Sequence, residues 1–431
     1  MKIHKDRYRA FTASLTGTAL EYYDFAVYSS AAALILAHLY FPSEDPTIGL
    51  IQAFATYAVG YVARPIGGLI FGRLGDIVGR KKVLVWTLML VGVATFCIGL
   101  LPTHAQIGTV APAMLVLLRF FQGVGVGGEW GGAVLLSSEF GDEKRRGFWA
   151  SAAQVGPPLG TLLANGVLAL LIANLTEEQF LSWGWRVAFL LSAVLVGFGL
   201  WVRSALDETP VFKDLATAHQ RAEHPVKEVF ATQKRSLVAA MLVRIGPDVL
   251  YAMFAVFVLT YATVFLGLSR GQAVTAVLVG SALQVPLIPL SGYLSDVFGR
   301  RRVYAVAAVL AAFWGFYFFS FAKDEGSLMI GVIVALFLHS LMYGPQAAYI
   351  VEQFDVRVRS TASALAYTLA GLFGGAIAPM IFSWMLSKPD AGWAIGIYIA
   401  VACAITLFGL ALGKSPSATE SSKSLEAHAD S

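Results

Sequence analysis

Charge is what this chain has least of: Asp, Glu, Lys and Arg together make up 13% of its 431 residues, against 57% hydrophobic residues. A mean hydropathy of +0.69 excludes a single water-soluble core. Cysteine is scarcer still. Cys97 and Cys403 are the only two, each inside an apolar run, so a disulfide framework is excluded and both read as small core residues. The chain also lacks a helix-borne HExxH, a buried Ser/His or Ser/Lys pair and a phosphate loop, which argues against a membrane enzyme. No catalytic residue, metal site or cofactor is expected. The longest polar internal stretch, a few tens of residues, is too short for the output domain of a membrane sensor.

What is present is a series of apolar runs of ~20 residues, the length that crosses the ~30 Å hydrocarbon layer as a helix. About twelve recur, which makes the fold class an all-α membrane protein. The first, Phe11 to Leu39, is too long for a signal-peptide core and carries Glu21 and Asp24, so it reads as a retained first span.

One stretch occurs twice. Gly72 to Lys82, GRLGDIVGRKK, returns as Gly292 to Arg302, GYLSDVFGRRR, an offset of 292 − 72 = 220 residues. That is half the chain, so the duplicated unit is half a protein. Both copies carry too much charge for lipid and read as short loops at a membrane surface. A second echo, Glu139 with Arg146 and Glu352 with Arg359, has a common offset of 213. The implied organisation is an N-terminal six-helix bundle over 1–204, a linker over 205–236, a C-terminal six-helix bundle over 237–412 and a disordered tail over 413–431. Two such halves related by an axis along the membrane normal place a solute site between them, open alternately to either side.

Topology follows from the basic residues, because their position relative to the spans sets orientation. Of the 31 Lys and Arg residues, 24 fall at the N-terminus, Arg203, the tail and the loops at 73–82, 144–146, 213–235, 300–302 and 357–359. The opposite loops hold only Arg270, Lys323 and Lys388. Both termini and both copies of the repeat are therefore expected in the cytoplasm of a bacterial inner-membrane protein. A monomer is expected, with a small solute, protons and lipid, not nucleic acid, as its partners.

The repeated G-x-L-x-D-x-x-G-R-[KR]-[KR] stretch resembles the signature of the major facilitator superfamily. Glu21-Tyr22-Tyr23-Asp24-Phe25, Arg64-Pro65-Ile66-Gly67-Gly68, Arg119 through Glu129 and Asp207 through Phe212 are similar to its metabolite:proton symporter family. The runs Leu181 to Arg186 and Gly299 to Tyr304 look most like the shikimate-transporter branch. This resemblance implies proton-coupled uptake of a small organic acid, shikimate-like or another carboxylate. Symport of a zwitterionic osmolyte such as betaine or proline is the alternative, handled by relatives with a long C-terminal coiled coil that this chain lacks. Export is a third reading, since Gly156-Pro157-Pro158-Leu159-Gly160 partly resembles an antiporter motif.

Ionisable groups inside spans cost several kcal/mol, so each is a functional candidate. Glu21 and Asp24, i and i+3 on span 1, share a face; they suit proton coupling, or Glu21 and Asp24 form an internal ion pair with Arg64. Glu129 in span 4 and His339 in span 10 are further proton carriers, the bland readings being a salt-bridge partner and a satisfied polar residue. Arg119 and Arg244 suit a carboxylate through two parallel hydrogen bonds. Each has an alternative: Arg119 holding a nearby carboxylate, and Arg244 neutralised by Asp248. Tyr23, Gln122, Tyr251, Gln284, Tyr343 and Gln346 complete the expected solute site. The glycines of span 4 read as close helix packing. In the repeat, Gly72, Asp76, Gly79 and Arg80, with Gly292, Asp296, Gly299 and Arg300, form a gate. The resemblance implies that Asp76 meets the start of span 11 and Asp296 the start of span 5.

Overall fold

The computed structural model describes residues 2–78, 80–127, 130–139, 142–204, 225–355, 358–388 and 390–414. Every regular element among them is helical. In hydrocarbon no water is available to hydrogen-bond a free backbone group, and a helix satisfies its own. The first helix, α1 (Lys2–Ala31), starts well before Phe11 and continues through a π-helical turn, Ala32–Leu36, to Tyr40. Then come α2 (Pro46–Val78), α3 (Arg80–Leu100) and α4 (Val110–Val126), with a further segment at Trp130–Glu139. Helix α5 (Arg146–Asn174) precedes α6, which runs from Glu177 to Trp201 with a π-helical turn at Phe180–Gly184.

The second half repeats the plan with α7 (Lys234–Phe265), α8 (Arg270–Phe298), α9 (Arg300–Phe321), α10 (Glu325–Glu352), α11 (Thr361–Leu386) and α12 (Ala391–Leu412). A short helix, Pro225–Thr232, leads into α7, whose first turn reaches back to Lys234. Nine of these helical runs are long and apolar enough to cross a membrane among the described residues, and Val85–Leu100 and Val110–Val126 are shorter apolar helices. With α1 they are consistent with twelve spans.

Burial is inverted relative to a soluble protein. Phe313, Trp201, Trp393 and Leu170 are each more than 65% exposed, while Arg119, Gln122, Gln284 and Gln346 are fully buried. Lipid covers the first set and helix packing encloses the second. Of the cysteines, Cys403 is buried and Cys97 only partly so.

Small residues set the closest helix contacts. A Cβ on Gly67 or Gly127 would run into the Val124 carbonyl or the Arg64 carbonyl, so α2 and α4 pack backbone to backbone. Helix α5 packs the same way on α1, where Gly156 and Gly160 meet Thr18 and the Tyr22–Tyr23 backbone.

The repeated stretch departs from the loop expectation. Helix α2 runs on to Val78 and α8 to Phe298, and the next helices begin at Arg80 and Arg300. In the second copy only Gly299 breaks the helix, at φ 93, a conformation that favours glycine. Nothing in either stretch except glycine opposes a helix, since neither contains proline.

Candidate functional site

Asp296 lies in the last turn of α8, opposite the start of α5. Its two oxygens accept from the backbone N–H groups of Gly147 at 2.9 Å and Phe148 at 3.0 Å. These first-turn amides have no partner inside their own helix and carry the positive end of its dipole. Arg300 donates to Asp296 at 2.6 Å and grips Glu352 with two bonds of 2.8 and 2.6 Å. A Cβ on Gly292 would sit 2.5 Å from the Gly147 carbonyl oxygen, which is how α5 and α8 come this close. Gly79 lies outside the described residues, as do the side chains of Asp76 and Arg80 and any detail at Gly72.

Within the first half, Arg119 of α4 is fully buried. Its Nη1 donates to Gln122 at 2.8 Å, and the Gln122 amide donates to Thr95 at 2.6 Å. The guanidinium carbon lies 3.9 Å from the Phe25 ring centre and 4.3 Å from that of Tyr28, a cation–π cage. A Cβ on Gly60 would come within 2.7 Å of Arg119 Nε, so a glycine makes room for the arginine. Asp24 faces Thr95, Ser192 and Arg119, yet no ion pair closes between Asp24 and Arg119. Tyr23 points elsewhere: its hydroxyl donates to the Ala188 carbonyl at 2.7 Å and ties α1 to α6. Glu129 lies outside the described residues.

Between the halves sits a narrow cavity of about 10 Å³, room for the centre of one water, with Glu21, Tyr22, Arg64, Trp130 and Tyr367 on its wall. Glu21 and Asp24 thus share a helix face but not an environment. Glu21 borders the cavity; Asp24 is enclosed among α3, α4 and α6. The internal ion pair weighed from the sequence is not formed: among the described residues, Glu21 Oε1 and the Arg64 Nε and Nη2 atoms have no hydrogen-bond partner.

Tyr367 of α11 is the hub of this junction. Its hydroxyl meets that of Tyr22 at 2.6 Å, and its ring stacks on Trp130 with centroids 3.8 Å apart. Arg244 lies over the same ring at 3.2 Å and donates to the Tyr367 carbonyl. The Arg244 Nε is already held by Asp248, at 3.0 and 2.8 Å from its two oxygens, so the i,i+4 pair forms in spite of Pro247.

The remaining expected residues form a polar chain across the halves. Trp130 donates to Gln154 at 2.9 Å, Gln154 to Gln346 at 3.1 Å and Gln346 to the Tyr304 hydroxyl at 3.0 Å. His339 accepts from Gln284 at 2.7 Å and lies against Tyr343 and Tyr251, and the Tyr251 hydroxyl bonds Thr161 of α5. Tyr367, Trp130 and Gln154 were missed by sequence reasoning, and Arg64 was weighed only as an ion-pair partner. A lone tyrosine just after the mostly small residues of Ser360 to Ala366 was the available signal for Tyr367. Among the described residues, no group of three His, Cys, Asp or Glu side chains could hold a metal ion.

At the opposite end, Arg270 of α8 pairs with Glu177, and the Thr260 hydroxyl donates to the Ala33 carbonyl at 3.4 Å. Contacts between the halves therefore exist at both ends of a buried polar junction. That arrangement, in a helical membrane protein with charges turned inward, defines a transporter of small solutes. The chain belongs to the major facilitator superfamily. Residues 9–224 match the family model described as sugar (and other) transporter, and residues 248–430 match that of the Major Facilitator Superfamily. The chain is 38% identical to an inner membrane metabolite transport protein of Escherichia coli (strain K12), over 94% of each chain. It is 36% identical to the shikimate transporter of the same organism, over 92% of each. Its fold is shared by the D-xylose-proton symporter, with a TM-score of 0.71 at 18% identity, covering 92% of this chain and 96% of that one.

Proposed function

We propose that the protein takes up a small carboxylate-bearing metabolite, shikimate-like or a related organic acid, together with protons, by rocking its two halves about the junction at Tyr367. The observation that carries this reading is Asp24: a carboxylate 2% exposed, with one oxygen lacking a hydrogen-bond partner among the described residues, in the same enclosure as an arginine it does not bond. A bare charge there is costly, so a proton arriving on Asp24 removes an electrostatic tie to Arg119 and lets α1 move against α4. Bound solute and bound proton then cross together, which is the content of symport.

The name of the shikimate transporter supports a carboxylate, and so does the cation lining the cavity at Arg64. The excess of basic residues on the side of the repeated motif supports a cytoplasmic position for that side. Asp296 on the first turn of α5 would then close the cytoplasmic mouth while the other end opens.

The test is a panel of carboxylate solutes offered to purified protein in liposomes, following uptake and external pH together. Accepted solutes should alkalinise the medium, and an inward proton gradient should drive their accumulation. Uptake that ignores an imposed gradient rules out symport.

A further inference from the structure

We infer that Phe25 is the positioning residue that links the solute to the proton. Its ring is shared by Arg64, on the cavity wall, and by Arg119, in the enclosure of Asp24, so an anion that takes the first arginine changes the hold on the second. The inference rests on the reading above in taking the cavity as the place of the solute and Asp24 as that of the proton.

The two places are separate. Glu21 and Arg64 border the cavity, whereas Asp24 and Arg119 do not. Symport requires that occupation of one be felt at the other, and Phe25 touches both. The Arg64 guanidinium carbon lies 4.2 Å from its ring centre, and that of Arg119 lies 3.9 Å from it. Phe25 also follows Asp24 directly on α1, and the Tyr57 and Tyr61 rings stand edge-on to it at 6.3 and 5.7 Å. Gly60, whose Cβ would come within 2.7 Å of Arg119 Nε, stands one turn before Arg64 on α2, which brings both arginines to one ring.

Ring contact is what holds the two cations. Nε and Nη2 of Arg64 and of Arg119 alike have no hydrogen-bond partner among the described residues. Aromatic faces take their place: Tyr61 at 4.0 Å from Arg64, Tyr28 at 4.3 Å from Arg119, and Phe25 for both. Two like charges drawing on one ring repel each other, so each is held less firmly than it would be alone. A solute carboxylate on the open N–H edge of Arg64 neutralises that cation and leaves the ring to Arg119. The Arg119 guanidinium then settles on Phe25, its pull on Asp24 falls, and the bare carboxylate takes a proton. By reciprocity, a proton on Asp24 strengthens the binding of solute.

The experiment replaces Phe25 by 3,4,5-trifluorophenylalanine, which keeps the shape of the ring and withdraws the negative charge from its face. Purified full-length protein in liposomes is offered shikimate, quinate, lactate and succinate. Two quantities are followed for every solute the wild type accepts: accumulation driven by an inward proton gradient, and exchange of labelled for unlabelled solute without one. With the fluorinated ring, accumulation should fall at least about 5-fold, the lower end of coupling between two sites, while exchange stays within about 2-fold of wild type. Phe25→Leu should give the same split. The trifluoro residue at Phe54, a buried ring set against Phe257, should leave both quantities unchanged. Accumulation at the wild-type level with the fluorinated Phe25 overturns the inference and leaves the symport reading standing. A fall of exchange equal to that of accumulation also overturns it, since loss of packing acts on both. A wild type that accepts none of these solutes, or whose accumulation ignores the proton gradient, overturns the reading above and this inference with it.

Discussion

The carboxylate of Asp296 accepts the free backbone N–H of Gly147 at 2.9 Å, joining the last turn of a helix in one half to the first turn of a helix in the other. The contact can exist only while α5 and α8 touch at this end, so under the proposed rocking of the halves it would act as a state-dependent lock. Asp296→Asn keeps the shape but loses the charge facing the α5 dipole and Arg300. Each such charge-assisted contact is worth about 1.5–3 kcal/mol when buried. The expected result is faster hydrogen exchange at residues 147–151, by about 10-fold, with the fold intact. Unchanged exchange would show that the lock contributes nothing to closure.

Asp24→Asn should separate coupling from translocation. The amide cannot carry the proton, so accumulation against a gradient is lost, while exchange of labelled for unlabelled solute across liposomes continues. Full accumulation by the variant would remove Asp24 from the coupling role.

Tyr367 offers a graded test. Tyr367→Phe deletes the hydroxyl that meets Tyr22 but keeps the ring stacked on Trp130. A single neutral hydrogen bond is worth about 1 kcal/mol, so solute affinity should change by no more than about 5-fold. Tyr367→Ala removes the stack and the surface beneath Arg244, and transport should fall below detection. Equal effects from both variants would show that the hydroxyl, not the ring, organises the junction.

Asp324 at the N-terminus of α10 predicts a pH dependence outside the membrane. Its carboxylate accepts from the Ser327 backbone N–H at 2.8 Å and from the Ser327 hydroxyl at 2.9 Å. Those bonds, the backbone one first, hold its pKa below the ordinary aspartate value. The folded state therefore favours the charged form. Its stabilisation is present above the ordinary aspartate pKa and is lost as pH falls through the lowered one. Asp324→Ala should lower Tm at pH 7, and the difference from wild type should shrink at pH 3. A difference independent of pH would indicate a packing effect instead of a cap.

Much of this protein was legible in its sequence because the bilayer imposes a length and a composition on whatever crosses it. The runs of apolar residues identify the spans, and the stretch repeated at an offset of 292 − 72 = 220 residues identifies two related halves. The aspartate of the second copy was expected at the start of α5, which is where the structure has it. The glycines of α4 were read as packing residues, and Gly123 and Gly127 indeed lie against the α2 backbone.

What the sequence left open was rotation about each helix axis. In a soluble protein the polar face marks the outside, but here both lipid and helix interfaces are apolar, so the pattern does not say which way a side chain looks. Spacing put Glu21 and Asp24 on one face and could not show that one borders a cavity while the other is enclosed beside Arg119. Nor could it show Arg64 left without a carboxylate among the described residues while Arg244 takes one. Length and hydrophobicity act within a segment and are written along the chain; the pairing of buried charges depends on how neighbouring helices turn and close, and only packing decides that.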